Sequence, residues 1–438
     1  MKRIFTFDII RAIAIIGVIF VHTLQHTWTS TDAVESGSEE PGVMVLFLFY
    51  LLTMAGLFYV VMGSVNAYMM YHRVRSKRNT KRQMVLSGVI MGVFLIGSHY
   101  VFRLLFSADS GILYFLVKTG EFTTPAAKWL VGTSTLAMLG WTSILVPAIL
   151  SLLFAKDGIN KTRRNFWILG IGATLILFGT PIIRDLLAPY VVTWIENGHY
   201  IPSVLLGAFV YDLFPIFPYL GYGLYGAIIG IALAKDKHHS KIKMFLLVVG
   251  LFWLIVGWVG NSQYGGVDPT LYRQFTHTAI FNKTFLQVSQ LGLFMIFILL
   301  GLIVFDMLPE EKRQRRQRRF SIIRKFALVS LTIYLVEGFI MAIIVVLLNL
   351  IPAMEGWTDK LGIVALGSLL HLLIWTLIVH LWEKVGYKGS VEWTVLKLIE
   401  KISGKRSEKF NLKREMVIAE VPDLVKEERP GYIIPKKK

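Results

Sequence analysis

Four ionisable residues stand inside the first long apolar run, Phe5 to His26: Asp8, Arg11, His22 and His26. Arg11 and His22 are eleven residues apart, and at about 100° per residue that is almost three whole helical turns. Arg11, His22 and His26 therefore project from nearly one face, with Asp8 offset by part of a turn. Ionisable groups are costly in hydrocarbon, so such a stripe reads as a functional face rather than a lipid-facing one. A neutral imidazole is the usual proton acceptor near neutral pH. A guanidinium pairs with carboxylate or phosphate.

The elements that carry these groups read as membrane spans. Hydrophobic residues make up 55% of the 438, and the mean hydropathy is +0.59, well above soluble averages. With no cysteine, disulfides, zinc–thiolate sites and iron–sulfur clusters are excluded. The net charge of +18 is spread over short segments between apolar runs, so no nucleic-acid partner is expected. The fold expected is all-α, a polytopic integral membrane bundle with about ten spans: roughly 4–24, 43–70, 84–106, 129–155, 165–187, 204–234, 243–261, 285–305, 327–350 and 361–383. Alternate connections are basic: Arg73 to Arg82, Lys156 to Arg164, Lys235 to Lys243 and Lys312 to Arg319. The others are acidic or mixed, with Asp32, Glu35, Glu39 and Glu40, then Asp109 and Glu121, Glu196 and Asp268. By the positive-inside rule both termini are cytoplasmic, in the cell membrane. Residues 1–403 then form the bundle and 404–438 a basic cytoplasmic tail drawn to anionic lipid. Asp8 and Arg11 inside the first run argue for a retained span rather than a signal peptide.

This orientation assigns sides. Asp8 and Arg11 lie toward the cytoplasm, and His22, about 27 Å along from Ile4, lies near the outer boundary. His99 and Arg103, Arg184 beside Asp185, and Asp212 gather in the same outer layer, while Glu337 and His371 are expected near mid-membrane.

Several stretches resemble a family. Phe7-Asp8-Ile9-Ile10-Arg11-Ala12 looks like the opening Asp-x-x-Arg-(Gly/Ala) helix of the transmembrane acyltransferase superfamily, which includes the acyltransferase-3 O-acetyltransferases and the heparan-α-glucosaminide N-acetyltransferases. The Arg11-to-His22 interval is similar to the Arg-x10-His signature of the first branch. Asp212-Leu213-Phe214-Pro215-Ile216-Phe217-Pro218-Tyr219-Leu220-Gly221-Tyr222-Gly223, with Gly226 and Gly230, is similar to the second. Ser330-Leu331-Thr332-Ile333-Tyr334 and Gly386-Tyr387-Lys388-Gly389-Ser390-Val391-Glu392-Trp393 look like its late helix and closing segment. In the lysosomal enzymes the catalytic histidine lies beyond the first helix, where this chain has Ala33, with His26 the nearest alternative. Relatives often carry histidine where Glu337 stands.

The resemblance implies an enzyme that moves an acyl group, usually acetyl, from cytoplasmic acyl-CoA to a hydroxyl or amine of a glycan or lipid-linked acceptor at the outer face. Acetyl-CoA is then the donor substrate, no metal is expected, and the partners are membrane lipids and the acceptor, with a homo-oligomer also admitted. His22 is the candidate base, with His26 and Asp212 beside it in the catalytic set. Arg11 and Asp8 are donor-side candidates. His99, Arg103, Arg184, Glu337 and His371 are acceptor-side candidates. Each has a structural counterpart: Asp8 with Arg11 as an intrahelical pair, Arg184 with Asp185 as a helix-end pair, Glu337 with His371 as partners, and His99 and Arg103 as loop anchors. The glycines from Gly221 to Gly230 read as close helix contacts. The rival function is a secondary transporter or lipid-linked-glycan flippase using Glu337, His371 and Arg184.

Overall fold

The computed structural model describes residues 3–29, 42–52, 55–107, 111–122, 130–235, 239–266 and 274–403. Those residues are 85% helical and contain no strand. The acidic connection from Asp32 to Glu40, Ala33, Asp109, Asp268 and the tail 404–438 lie outside them.

The helices are α1 (Phe5–Thr27), α2 (Val43–Leu52), α3 (Gly56–Arg75), α4 (Lys81–Leu105), α5 (Ile112–Thr119), α6 (Thr135–Leu153), α7 (Thr162–Glu196), α8 (Tyr200–Val210), α9 (Ile216–Lys235), α10 (His239–Gln263) and α11 (His277–Gly301). A π turn (Leu302–Asp306) follows, then α12 (Glu310–Arg319), α13 (Ser321–Leu328), α14 (Ser330–Asn349), α15 (Leu361–Glu383) and α16 (Val391–Ser403). Among the described residues nine helices are long and apolar enough to cross a membrane: α1, α4, α6, α7, α9, α10, α11 with its π turn, α14 and α15. Of the tenth expected span, 43–70, the described residues form α2 and α3, with residues 53 and 54 outside them. Helix α3 spends its length on Tyr59, Ser64, Asn66, Tyr68, Tyr71 and His72, which lowers its hydropathy and suits a helix packed among others.

Exposure sorts the bundle into centre and rim. In α9, 83% of the apolar window is buried, against 28% in α7 and in α10 and 17% in α4. The exposed residues of α7 include Ile168, Ile171, Leu175, Phe178, Ile182 and Leu186, spaced three or four apart along one face. Met244, Val248, Leu251 and Ile255 repeat this on α10. Continuous apolar stripes of this size suit hydrocarbon and not water.

The centre is built on close helix contact. A Cβ on Gly63 of α3 would collide with the Gly223 carbonyl of α9, one on Gly226 with the Val60 carbonyl, and one on Gly230 with the Ser64 carbonyl. The glycines noted in the sequence thus let two backbones touch, which is how helices gain contact where no hydrophobic drive separates protein from lipid. Gly221 does the same toward Ala173 and Leu177 of α7. The peptide Phe217–Pro218 is cis, and Phe217 is non-helical at the entry to α9.

A second layer surrounds α1. Ala12, Ile15 and Ile19 pack with Phe326 to Val329 and Ile333, and with Trp375 and Val379 of α15. Val21 and Leu24 meet Val364 near the other end of α15. Helix α14 therefore runs parallel to α1 and α15 antiparallel to it. The apolar run read as one span over 327–350 is broken at Val329 (φ −124°, ψ 25°), so α14 begins beside the middle of α1 rather than beside its start.

Gly226→Ala is expected to destabilise the bundle by roughly 1–3 kcal/mol, because the added methyl meets a backbone carbonyl that cannot yield. Gly17→Ala, where a Cβ meets nothing within 4 Å, should leave the melting temperature unchanged or raised. Thermal unfolding of the two variants in one detergent checks this. Equal melting temperatures would show that the α3–α9 contact is not tight.

Candidate functional site

Helices α1 and α14 bring the two central residues together. Glu337 Oε1 accepts a hydrogen bond from His22 Nδ1 at 2.7 Å, with the imidazole 24% and the carboxylate 4% exposed. The residues were expected at different depths, and the structure puts them at one level: the parallel register that sets Arg324 beside Asp8 also sets Glu337 beside His22. The His26 ring stands edge-on to His22 with centroids 6.0 Å apart, and Tyr334, one turn before Glu337, packs its ring 6.3 Å from His22. Tyr334 also packs on Phe102 of α4, the neighbour of Arg103. The second carboxylate oxygen of Glu337, Oε2, is buried with no hydrogen-bond partner among the described residues.

His371 is not the partner of Glu337. The Trp375 indole N–H donates to its Nε2 at 3.1 Å, which leaves the proton on Nδ1. That nitrogen faces the Thr23 hydroxyl at 2.9 Å, and Thr23 in turn donates to the Ile19 carbonyl at 2.7 Å. Every polar atom of the ring is committed, so His371 ties α15 to α1.

Both helices start on carboxylates supplied from elsewhere. Asp306, at the end of the π turn, accepts from the backbone N–H groups of Phe5 and Thr6 at 2.9 and 2.8 Å. Glu392 of α16 accepts from the N–H groups of Leu331 and Thr332 at 2.6 and 3.3 Å and from the Thr332 hydroxyl at 2.6 Å, while Val391 N–H donates back to that hydroxyl at 2.9 Å. Neither helix has a cap of its own, so these contacts satisfy orphan donors and place negative charge at a positive helix end. The Ser330–Tyr334 and Gly386–Trp393 stretches, separate in sequence, are one contact in space.

At the start of α1, Asp8 is held by Arg3 at 2.7 Å and by Arg324 at 3.3 Å, with Arg11 Nη2 3.8 Å away. The intrahelical pair read from the sequence is thus the loosest of three, and Arg324, buried at 3% exposure on α13, had not been singled out.

A second polar layer forms where α4, α7, α9 and α11 meet. Asp212 pairs with Arg103 at 4.0 Å and not with His22. A Cβ on Gly132 would meet the ends of both charged side chains, which would have to shift to admit it. His99 donates Nε2–H to the Gly132 carbonyl at 3.1 Å, and its Nδ1 accepts from the Ser134 hydroxyl at 2.7 Å, which anchors that segment. Arg184 is fully buried inside α7, which continues past the expected end at 187 to Glu196. It donates to the carbonyls of Val210 and Asp212 at 3.0 and 2.9 Å and to Gln287 at 3.3 Å. Asp185 faces His277 instead, at 2.8 Å. Gln287 donates to the Leu213 carbonyl and to Tyr219, and the two residues clamp the loop in which Asp212 takes a left-handed conformation (φ 67°). Lys283, 1% exposed, donates to the Gln274 carbonyl at 2.6 Å and sits over the Phe275 ring. Asn282 is buried and donates to the Tyr264 and Gly266 carbonyls at 2.8 and 2.6 Å.

Lys283 and Gln287 were missed because polar residues inside a span-length run carry no signal of their partner. Asp306 carried a weak signal, as the acid closing its apolar run. No cluster of His, Cys, Asp and Glu able to hold a metal ion occurs among the described residues.

Burial pushes the Glu392 carboxyl up from its usual range, outweighing the hydrogen bonds from Thr332 and Leu331. An acid whose folded value is raised is bound to its proton more tightly in the fold than in the unfolded chain. Its contribution to stability therefore falls as pH rises from its ordinary value, about 4.3, toward the raised one. The melting temperature of wild type relative to Glu392→Gln should be more favourable near pH 4 than near pH 7. A difference independent of pH would show that Glu392 ionises without cost.

No family model, no curated protein and no solved structure matches this chain.

Proposed function

We propose that this chain is a membrane acyltransferase in which His22, oriented by Glu337, serves as the base for transfer of an acetyl group from acyl-CoA to a hydroxyl or amine. The 2.7 Å contact between His22 Nδ1 and Glu337 Oε1 carries the proposal. A carboxylate on Nδ1–H fixes the tautomer with its lone pair on Nε2 and stabilises the imidazolium that forms, the division of labour of a catalytic triad. The acceptor oxygen or nitrogen attacks the thioester carbonyl carbon as Nε2 takes its proton. The tetrahedral intermediate expels the CoA thiolate, and the imidazolium returns the proton to that sulfur.

The other end of α1 supports a donor site. Arg11 is 37% exposed and beyond hydrogen-bond distance of Asp8, so its guanidinium is placed to meet a phosphate. Arg11 and His22 are separated by about 16 Å of helix rise, a span suited to the pantetheine arm of CoA. Between them the same face carries Ala14 and Val18, both half-buried. By the positive-inside distribution, Arg11 faces the cytoplasm and His22 the far side, with a glycan or lipid-linked molecule as acceptor. The Arg103–Asp212 layer, next to Phe102 and its ring contact with Tyr334, is where that acceptor would lie. The transporter alternative finds less support: Glu337, His371 and Arg184 are each held by a different set of partners.

Purified protein should gain thermal stability from acetyl-CoA and release CoA in the presence of cell-envelope glycans. His22→Ala should lower turnover about 10²–10⁴-fold, the contribution of a positioned base, with the acetyl-CoA stabilisation retained. Glu337→Gln should fall between that variant and wild type. Undiminished turnover in His22→Ala rules out His22 as the base, and a lack of response to every acyl-CoA sinks the enzyme assignment. Mass spectrometry of envelope glycans from cells with and without the protein would reveal the acceptor as a difference of one acyl unit.

A further inference from the structure

The basic helix α12 has no part in the acyl-transfer proposal. It carries six cations, Lys312, Arg313, Arg315, Arg316, Arg318 and Arg319, against two carboxylates, Glu310 and Glu311, and none of its residues is buried. Its less exposed positions, Arg313, Gln314, Gln317 and the following Phe320, recur at helical spacing and form an inner face. Arg313 pairs there with Glu310. Lys312, Arg315, Arg316, Arg318 and Arg319 form the exposed face.

A charged helix of this kind is often no more than a solvated surface, but two observations fix the level at which this one lies. Arg316 donates to the Val304 carbonyl at 2.8 Å, so α12 is folded back against the last turns of α11. Those turns present Leu300, Ile303 and Val304 outward, 52%, 39% and 36% exposed, and Ile322 just beyond α12 is 62% exposed. Exposed apolar residues on both sides of a cationic helix mark the boundary between hydrocarbon and headgroups, where long basic side chains keep their charge in the polar layer.

We infer that α12 is a docking surface for anionic phospholipid headgroups. The occupant is a lipid rather than a soluble polyanion because the cations stand immediately beside residues that only acyl chains cover. Val304 lies two residues before Asp306, the cap of α1, so a lipid seated here adjoins the anchor of the helix that carries His22.

Full-length protein in a neutral detergent, titrated with phosphatidylglycerol or with phosphatidylcholine, tests this through melting temperature and native mass spectrometry. Phosphatidylglycerol should stabilise and remain bound; phosphatidylcholine should do neither. Each cation near a headgroup surface is worth about fivefold in affinity. The combined variant Lys312→Gln, Arg315→Gln, Arg318→Gln, Arg319→Gln should therefore weaken phosphatidylglycerol binding at least about tenfold. The charge-conserving Arg315→Lys, Arg318→Lys, Arg319→Lys variant should stay within about twofold of wild type. Should the glutamine variant fail to fold, Arg315→Gln alone, with an expected loss of about fivefold, decides. Unchanged lipid binding in the glutamine variants overturns the inference. So does equal stabilisation by both lipids, or a loss confined to a soluble polyanion such as CoA.

Discussion

A charge removed from water inside a helical bundle must find a partner, and in this protein the partners come from far along the chain. His22 and Glu337 are 315 residues apart in sequence, and Asp8 and Arg324 are 316 apart. Two such pairs, one near each end of α1, fix α14 and α13 against it in parallel register. Breaking one partner out of a buried pair leaves an uncompensated charge, which is costlier than the pair is stabilising. The register of α1 against α14 is therefore constrained by electrostatics as much as by the apolar packing of Ala12, Ile15 and Ile19.

The same economy governs backbone groups. Helices α1 and α14 start without a capping residue of their own, and each borrows a carboxylate, Asp306 and Glu392 respectively. In hydrocarbon an orphan N–H is more costly than in water, so these two acids do more than cap. They tie the end of α11 to the start of α1, and α16 to the start of α14, so that the histidine and the glutamate are aligned by contacts at the far ends of their helices. The α3–α9 core works differently, through glycines that admit bare backbone contact, and it places the clamp of Arg184 and Gln287 at its edge.

Much of this was legible in advance. Among the described residues nine of the ten apolar runs contain a long apolar helix, although the run 204–234 is divided between α8 and α9; the stripe of Arg11, His22 and His26 does share α1, and the glycines of α9 are contact points. His99 and Arg184 were readable as polar residues of one layer, but their roles there were not. His99 anchors the Gly132 segment, and Arg184 clamps a loop instead of pairing with its neighbour Asp185. A neighbour in sequence on a helix points about 100° away, and Asp185 is turned toward His277 for that reason.

The sequence by itself determined the all-helical class, the apolar faces and which residues would be costly to bury, because hydropathy and the 3.6-residue period are local properties. Only the tertiary structure decided who partners whom. The parallel register of α13 and α14 along α1 put Glu337 at the level of His22, and Trp375 and Thr23 took His371 out of reach. Partner choice depends on how helices are stacked and staggered, and stagger is set by contacts summed over the whole bundle, which no single segment encodes.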